Sequence, residues 1–100
     1  MDYKSKEINE QIKLFLRYRQ CQVLMMLNNE LKPKYTILLS RELNYPLSTV
    51  NKIVENLVYS GYVKKEKEDR KQILTITPKG REVAEHINNL YLIFRSLNNG

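Results

Sequence analysis

The chain has 100 residues, 42% of them apolar and 28% charged, with a net charge of +6. That length suits one domain with a modest core, and that balance excludes a disordered polyelectrolyte. The positive charge favours an anionic partner, nucleic acid or an acidic membrane surface, while the longest aliphatic run, Val23 to Leu27, is far too short to cross a bilayer.

From Ser5 to Asn29 no glycine or proline interrupts the chain. Ser5 is a candidate N-cap. Ile8, Ile12, Phe15 and Arg19 share one stripe of a helical wheel, and Leu16, Val23, Leu24 and Leu27 another. The change of face predicts either one long helix with two packing jobs or two helices bent near Leu16 to Tyr18. Asn28 and Asn29, ahead of Pro33, end the segment.

Thr36 is the next candidate N-cap, and Ile37 to Leu43 reads as a short helix. Asn44-Tyr45-Pro46 predicts a tight turn, because the residue before proline is pushed out of the helical region. A helix then opens at Leu47 or Ser48, with Val50, Ile53, Val54, Leu57 and Val58 at helical spacing. Gly61 falls where a left-handed C-terminal cap is needed.

Tyr62 to Lys67 opens with two apolar residues and then turns charged, Gln72 to Thr77 is a β-rich run, and the two read as strands of a hairpin joined by a polar turn around Glu68, Asp69 and Arg70. In the second, Leu74 and Ile76 share a face opposite Ile73, Thr75 and Thr77. Pro78 suits the first position of a helix running to about Leu97. The fold class expected is mainly α with a small β-hairpin, one domain over residues 1–100. It divides into N-terminal helix or helices (5–29), helix-turn-helix (36–61), hairpin wing (62–77) and a terminal helix (78–97). This is the order of a winged helix-turn-helix.

The chemistry of that layout is direct. Leu39, Leu43, Val50, Val54 and Leu57 form a seam that sets the angle between the two short helices. The second helix then turns Ser48, Thr49, Asn51, Lys52, Glu55 and Asn56 outward on a rod that fits the major groove of B-DNA. Serine, threonine and asparagine can bond base edges or phosphates, and Lys52 suits a phosphate or guanine. The plainer reading is a solvated helix face. The hairpin carries Lys64, Lys65, Lys67, Arg70 and Lys71 among Glu66, Glu68 and Asp69. Lys64, Lys67, Arg70 and Lys71 are the wing candidates for DNA, with Arg70 at the tip reaching a minor groove or flanking phosphates and Asp69 orienting its guanidinium. Lys65, Glu66 and Glu68 read as a solvated charge run.

In the last helix Val83, Ile87, Leu90, Phe94 and Leu97 follow a 4-3-4-3 spacing with Ala84 and Tyr91 alongside. A chain of this size has little core left to cover them, and Ile8, Ile12 and Phe15 also lack a partner. These residues either pack across a two-fold axis in a homodimer or pack on each other within one chain, and the first is the simpler account.

Thr36 to Glu82 resembles the multiple-antibiotic-resistance-regulator (MarR) type of winged-helix regulators. The matching residues are LSRELNYPLSTVNKIVENLVYSGYVKK and EDRKQILTITPKGRE, of which LTITPKGRE is the most specific. The resemblance implies a homodimeric transcriptional regulator of double-stranded DNA. It also implies major-groove contacts from Ser48, Thr49, Asn51 and Lys52, and a minor-groove contact from Arg70 beside Asp69. The family is usually longer, with extra helical material at both ends and an effector pocket between domains. Small winged-helix proteins of archaea and their viruses are similar in size, and PadR-type regulators are a weaker resemblance.

Cys21 and His86 are too few for a structural zinc site, and no metal or other cofactor is expected. The single cysteine allows no disulfide within the chain, the MDYKSKEINE start is not a signal peptide, and a cytoplasmic location is expected. No glycine-rich phosphate loop or nucleophile-base pairing is present, so an enzyme is not expected. A winged-helix protein-interaction module and a non-specific chromatin-type DNA binder are the competing functions. Nothing in the sequence names a small-molecule effector.

Overall fold

The computed structural model describes residues 6–29 and 34–99, and for Gln11, Ile12, Leu14, Phe15, Lys34 and Asn99 the backbone alone. The elements run α1 (Lys6–Phe15), α2 (Tyr18–Asn28), β1 (Lys34–Tyr35), α3 (Thr36–Leu43), α4 (Leu47–Tyr59), β2 (Val63–Glu68), β3 (Lys71–Ile76) and α5 (Pro78–Asn99). Ser5, expected to cap α1, lies outside the described residues, as do the side chains of Ile12 and Phe15.

Of the two readings of the N-terminal segment, the bent one holds. Arg17 is extended, with φ −96° and ψ 126°, so the helix stops and restarts. The restart lets α2 turn Val23, Leu24 and Leu27 into the core while Leu16 stays exposed. Thr36 is not a cap. Tyr35 takes the extended N-cap conformation, α3 begins at Thr36, and among the described residues the buried Thr36 hydroxyl has no hydrogen-bond partner.

The turn between α3 and α4 depends on Asn44, which adopts φ 58° as asparagine tolerates. Its N–H and that of Tyr45 both donate to the Ser40 carbonyl, and the Ser40 hydroxyl donates to the Tyr45 carbonyl at 2.6 Å. Pro46 then opens α4, its carbonyl accepting from the N–H groups of Thr49 and Val50 at 3.0 and 3.1 Å. At the other end Gly61 has φ 84°, and the N–H groups of Gly61 and Tyr62 donate to the carbonyls of Val58 and Leu57. This is the paired closure that a glycine after a helix permits.

The sheet has the order β1-β3-β2, all antiparallel. The β2–β3 hairpin pairs Val63 with Ile76 and Glu68 with Lys71. Only Asp69 and Arg70 lie in its loop. The two-residue strand β1 adds Lys34 and Tyr35 opposite Leu74 and Ile73, which the sequence reading did not anticipate. The core joins α2, α3, α4, the sheet and the start of α5 through Leu24, Leu39, Val50, Val54, Leu57, Leu74 and Ala84, all 2% exposed or less. Burying each leucine contributes roughly 2 kcal/mol.

The TPKG segment ties α4 to α5. The Thr77 hydroxyl accepts from the Gly80 N–H at 3.0 Å and donates to the Gly61 carbonyl at 2.7 Å, so one side chain caps α5 and holds the residue that closes α4. Lys79 donates to the Ser60 carbonyl at 3.1 Å and lies over the Tyr62 ring.

Candidate nucleic-acid interface

Helix α4 buries Val50, Ile53, Val54 and Leu57 beneath it. Ser48, Asn51, Lys52, Glu55 and Asn56 are exposed on its opposite side, and Thr49 is half-buried at the edge. The division follows from the seam. Once the aliphatic stripe is seated on α2 and α3, a helical repeat of 3.6 residues leaves the polar stripe outward.

The wing projects beside this helix. The Asp69–Arg70 loop is tight, and Asp69 has φ 55°. Aspartate tolerates that conformation. Among the described residues no ion pair joins Asp69 to Arg70, and the aspartate holds the left-handed position of the turn. Arg70, Lys71 and Gln72 border one hollow with Asn51 and Leu47 of α4 and with Tyr35. The wing tip and the N-terminal half of α4 therefore line a single concave surface. The Lys71 ammonium lies 4.7 Å from the Tyr35 ring centroid, which holds it toward β1.

The four wing candidates do not form one patch. Strand alternation puts Lys67 on the face of Val63 and Lys65, and Lys64 on the other face with Glu66 and Glu68. Lys64 stands near the base of the wing, roughly 16 Å along the strand from the loop. Its ammonium is 2.9 Å from the Glu66 carboxylate, which raises its pKa above the ordinary lysine value.

The terminal-helix set also divides. Val83 and Ile87 are half-buried against the chain's own core. Beyond them Leu90, Tyr91, Phe94 and Leu97 are exposed, Phe94 by 57% and Leu97 by 71%. Leu92 and Ile93, absent from the expected set, are exposed too, and so is Ile8 on α1.

Sequence reasoning missed a basic cluster on the far side of α4. Arg17 and Arg19 border a second hollow with Tyr45, Thr49, Lys52 and Asn56. Arginines on either side of Tyr18, where the apolar stripe changes face, were the available signal.

Among the described residues no group of three or more His, Cys, Asp or Glu side chains is placed to hold a metal ion. Among them, too, no helix is long and apolar enough to cross a membrane.

Residues 16–80 match the family model for a winged helix DNA-binding domain. No curated protein matches the chain. Among solved structures, AF1382 from Archaeoglobus fulgidus is similar at 26% identity and a TM-score of 0.76, over 84% of this chain and 96% of that one. HlyU from Vibrio cholerae is similar at 22% identity and a TM-score of 0.75, over 92% and 99% of the two chains. A MarR transcriptional regulator from Methanosarcina mazei gives 22% identity and a TM-score of 0.72, over 78% of this chain and 58% of that one. With the outward face of α4, the adjoining wing and the clamp at TPKG already in place, these matches mean that the chain belongs to the winged helix DNA-binding domain family and has the MarR-type winged helix-turn-helix fold.

Proposed function

We propose that this protein is a transcriptional regulator that binds specific sequences in double-stranded DNA as a homodimer. The observation that carries the reading is the shared hollow bordered by Asn51 of α4 and Arg70 of the wing loop. A helix lying in a major groove brings such a wing over the adjacent backbone or minor groove. Ser48, Thr49, Asn51 and Lys52 read or position the major groove, and Arg70, with Lys71 and Lys67 behind it, meets the flanking strand.

The homodimer forms through the outer half of α5. Leu90, Tyr91, Phe94 and Leu97, with Leu92 and Ile93 beside them, expose an apolar surface that water disfavours and that a second copy would cover. A two-fold axis there would carry two copies of α4 to successive major grooves, about 34 Å apart, on a pseudo-palindromic site. The similar MarR regulator from Methanosarcina mazei supports the regulatory reading. DNA is met in the cytoplasm on this reading.

Selection of bound duplexes from a random pool tests the proposal. A two-fold consensus bound at least about a thousandfold more tightly than random duplex is the result expected of a specific regulator. Equal affinity for all duplexes would replace it with a chromatin-type binder. No binding even at low salt would favour a protein partner.

A further inference from the structure

We infer that Arg17 and Arg19, at the junction of α1 and α2, grip backbone phosphates of the duplex beside the groove that α4 enters. The inference rests on the DNA-binding reading and adds to it a second cationic surface, on the side of α4 away from the wing.

Three observations carry it. The hollow between the α1–α2 junction and α4 is lined by three cations, Arg17, Arg19 and Lys52, and by no carboxylate. Glu10 borders the adjoining hollow and lies 3.9 Å from Lys13. The same hollow takes in Thr49, Lys52 and Asn56, so an anion held there lies against the helix that meets the major groove. One of the cations is also positioned. The Arg19 guanidinium sits 4.7 Å from the Tyr45 ring centroid, and Tyr45 belongs to the turn between α3 and α4. The Tyr45 hydroxyl donates to Gln22 of α2, and the Gln22 amide donates to the Tyr18 hydroxyl at 3.0 Å. This chain of contacts ties the arginine-bearing turn to the helix-turn-helix and fixes it relative to α4.

An open, cationic surface continuous with a groove-binding helix suits a polyanion whose charges repeat along the same path. Duplex phosphates have that geometry. Guanidinium groups bond phosphate oxygens in bidentate fashion.

The test measures duplex binding as a function of salt, using a random-sequence duplex and one selected from a pool. Each phosphate contact contributes about 0.9 to the slope of log affinity against log salt. The double variant R17Q/R19Q removes two arginines from each protomer of the homodimer and is expected to lower that slope by about 3.6, so that from about 50 to 200 mM salt it loses roughly a hundredfold less affinity than the parent chain does. The loss at low salt should be the same for both duplexes, and R17K/R19K should restore the slope. If the double variant does not fold by circular dichroism, R17Q alone, lost from both protomers, should lower the slope by about 1.8.

An unchanged slope in the double variant, where the parent chain binds duplex, overturns this inference and leaves the proposed function standing. A parent chain that binds no duplex overturns both. A variant that loses discrimination between the two duplexes, or that lysine does not rescue, overturns the phosphate assignment. So does a hollow in which inorganic phosphate shifts the NMR signals of Arg17 and Arg19 while duplex binding is unaffected by the substitutions.

Discussion

The Cα of Gly80 lies so close to Tyr62 that a β-carbon at position 80 would stand 2.0 Å from the Tyr62 carbonyl oxygen. It would also lie 2.9 Å from the Ile76 side chain. Gly80 is in the first turn of α5, where alanine would ordinarily be the better helix former by about 1 kcal/mol. Here backbone stands in the way, and backbone cannot swing aside as the end of a side chain can. The close approach lets α5 start against the end of α4, with Thr77 bonded to both Gly61 and Gly80.

Gly80→Ala is therefore expected to destabilise the fold by about 3 kcal/mol, against the helix-propensity trend. Thermal denaturation should show a Tm lower by more than about 10 °C. A Tm equal to or above that of the parent chain would mean that α5 can shift without loss.

Arg70→Ala should weaken duplex binding by about 2 kcal/mol, close to thirtyfold, while Lys64→Ala should change it less than about threefold. The contrast follows from position. Arg70 is in the wing loop and faces the hollow shared with Asn51, whereas Lys64 is at the wing base beside Glu66. Fluorescence anisotropy with a selected duplex measures both, and comparable losses in the two variants would refute the tip assignment.

Phe94→Glu with Leu97→Glu should yield a folded monomer. Both side chains are exposed in one chain, so the charges cost little there, but burying them at a two-fold interface would cost more than about 2 kcal/mol. Sedimentation equilibrium should show self-association weakened at least about thirtyfold, with the helical circular dichroism retained. A variant still dimeric at the parent's concentrations would place the interface elsewhere.

Burial pushes the Cys21 thiol above its ordinary pKa, outweighing an opposing backbone hydrogen bond. The folded chain thus holds the thiol proton more tightly than the unfolded chain. The resulting stabilisation is complete below the unfolded pKa and fades as the pH rises through the higher folded value. At about pH 8, iodoacetamide should alkylate Cys21 more slowly in the folded chain than in urea, because the thiolate is the nucleophile. Equal or faster alkylation in the folded chain would contradict the shift.

Much of this architecture was legible before any coordinates, and the reason is locality. The seam of α4, the glycine after it, the alternation of Leu74 and Ile76, and the proline opening α5 depend on neighbours within about four residues. Strand alternation could even have separated Lys64 from Lys67, since it needs only a count of two. The polar stripe of α4 was likewise readable, because an aliphatic face implies its opposite.

Tertiary packing decided the rest. Periodicity marks a face as apolar but cannot name what covers it. For that reason Val83 and Ile87 turned out to rest on their own core, while Leu90, Phe94 and Leu97, on the same heptad pattern, did not. The strand β1 exists because β3 offers it an edge, and Thr36 is a helix residue because Tyr35 is held in that pairing. TPKG looked like a family signature, and its chemistry, a hydroxyl and a bare Cα meeting the end of α4, emerges only when Thr77 and Gly80 stand beside Gly61 and Tyr62. Arg17 and Arg19 lie more than thirty positions from Lys52 in sequence. Only the packing of α2 against α4 brings the three charges to one hollow.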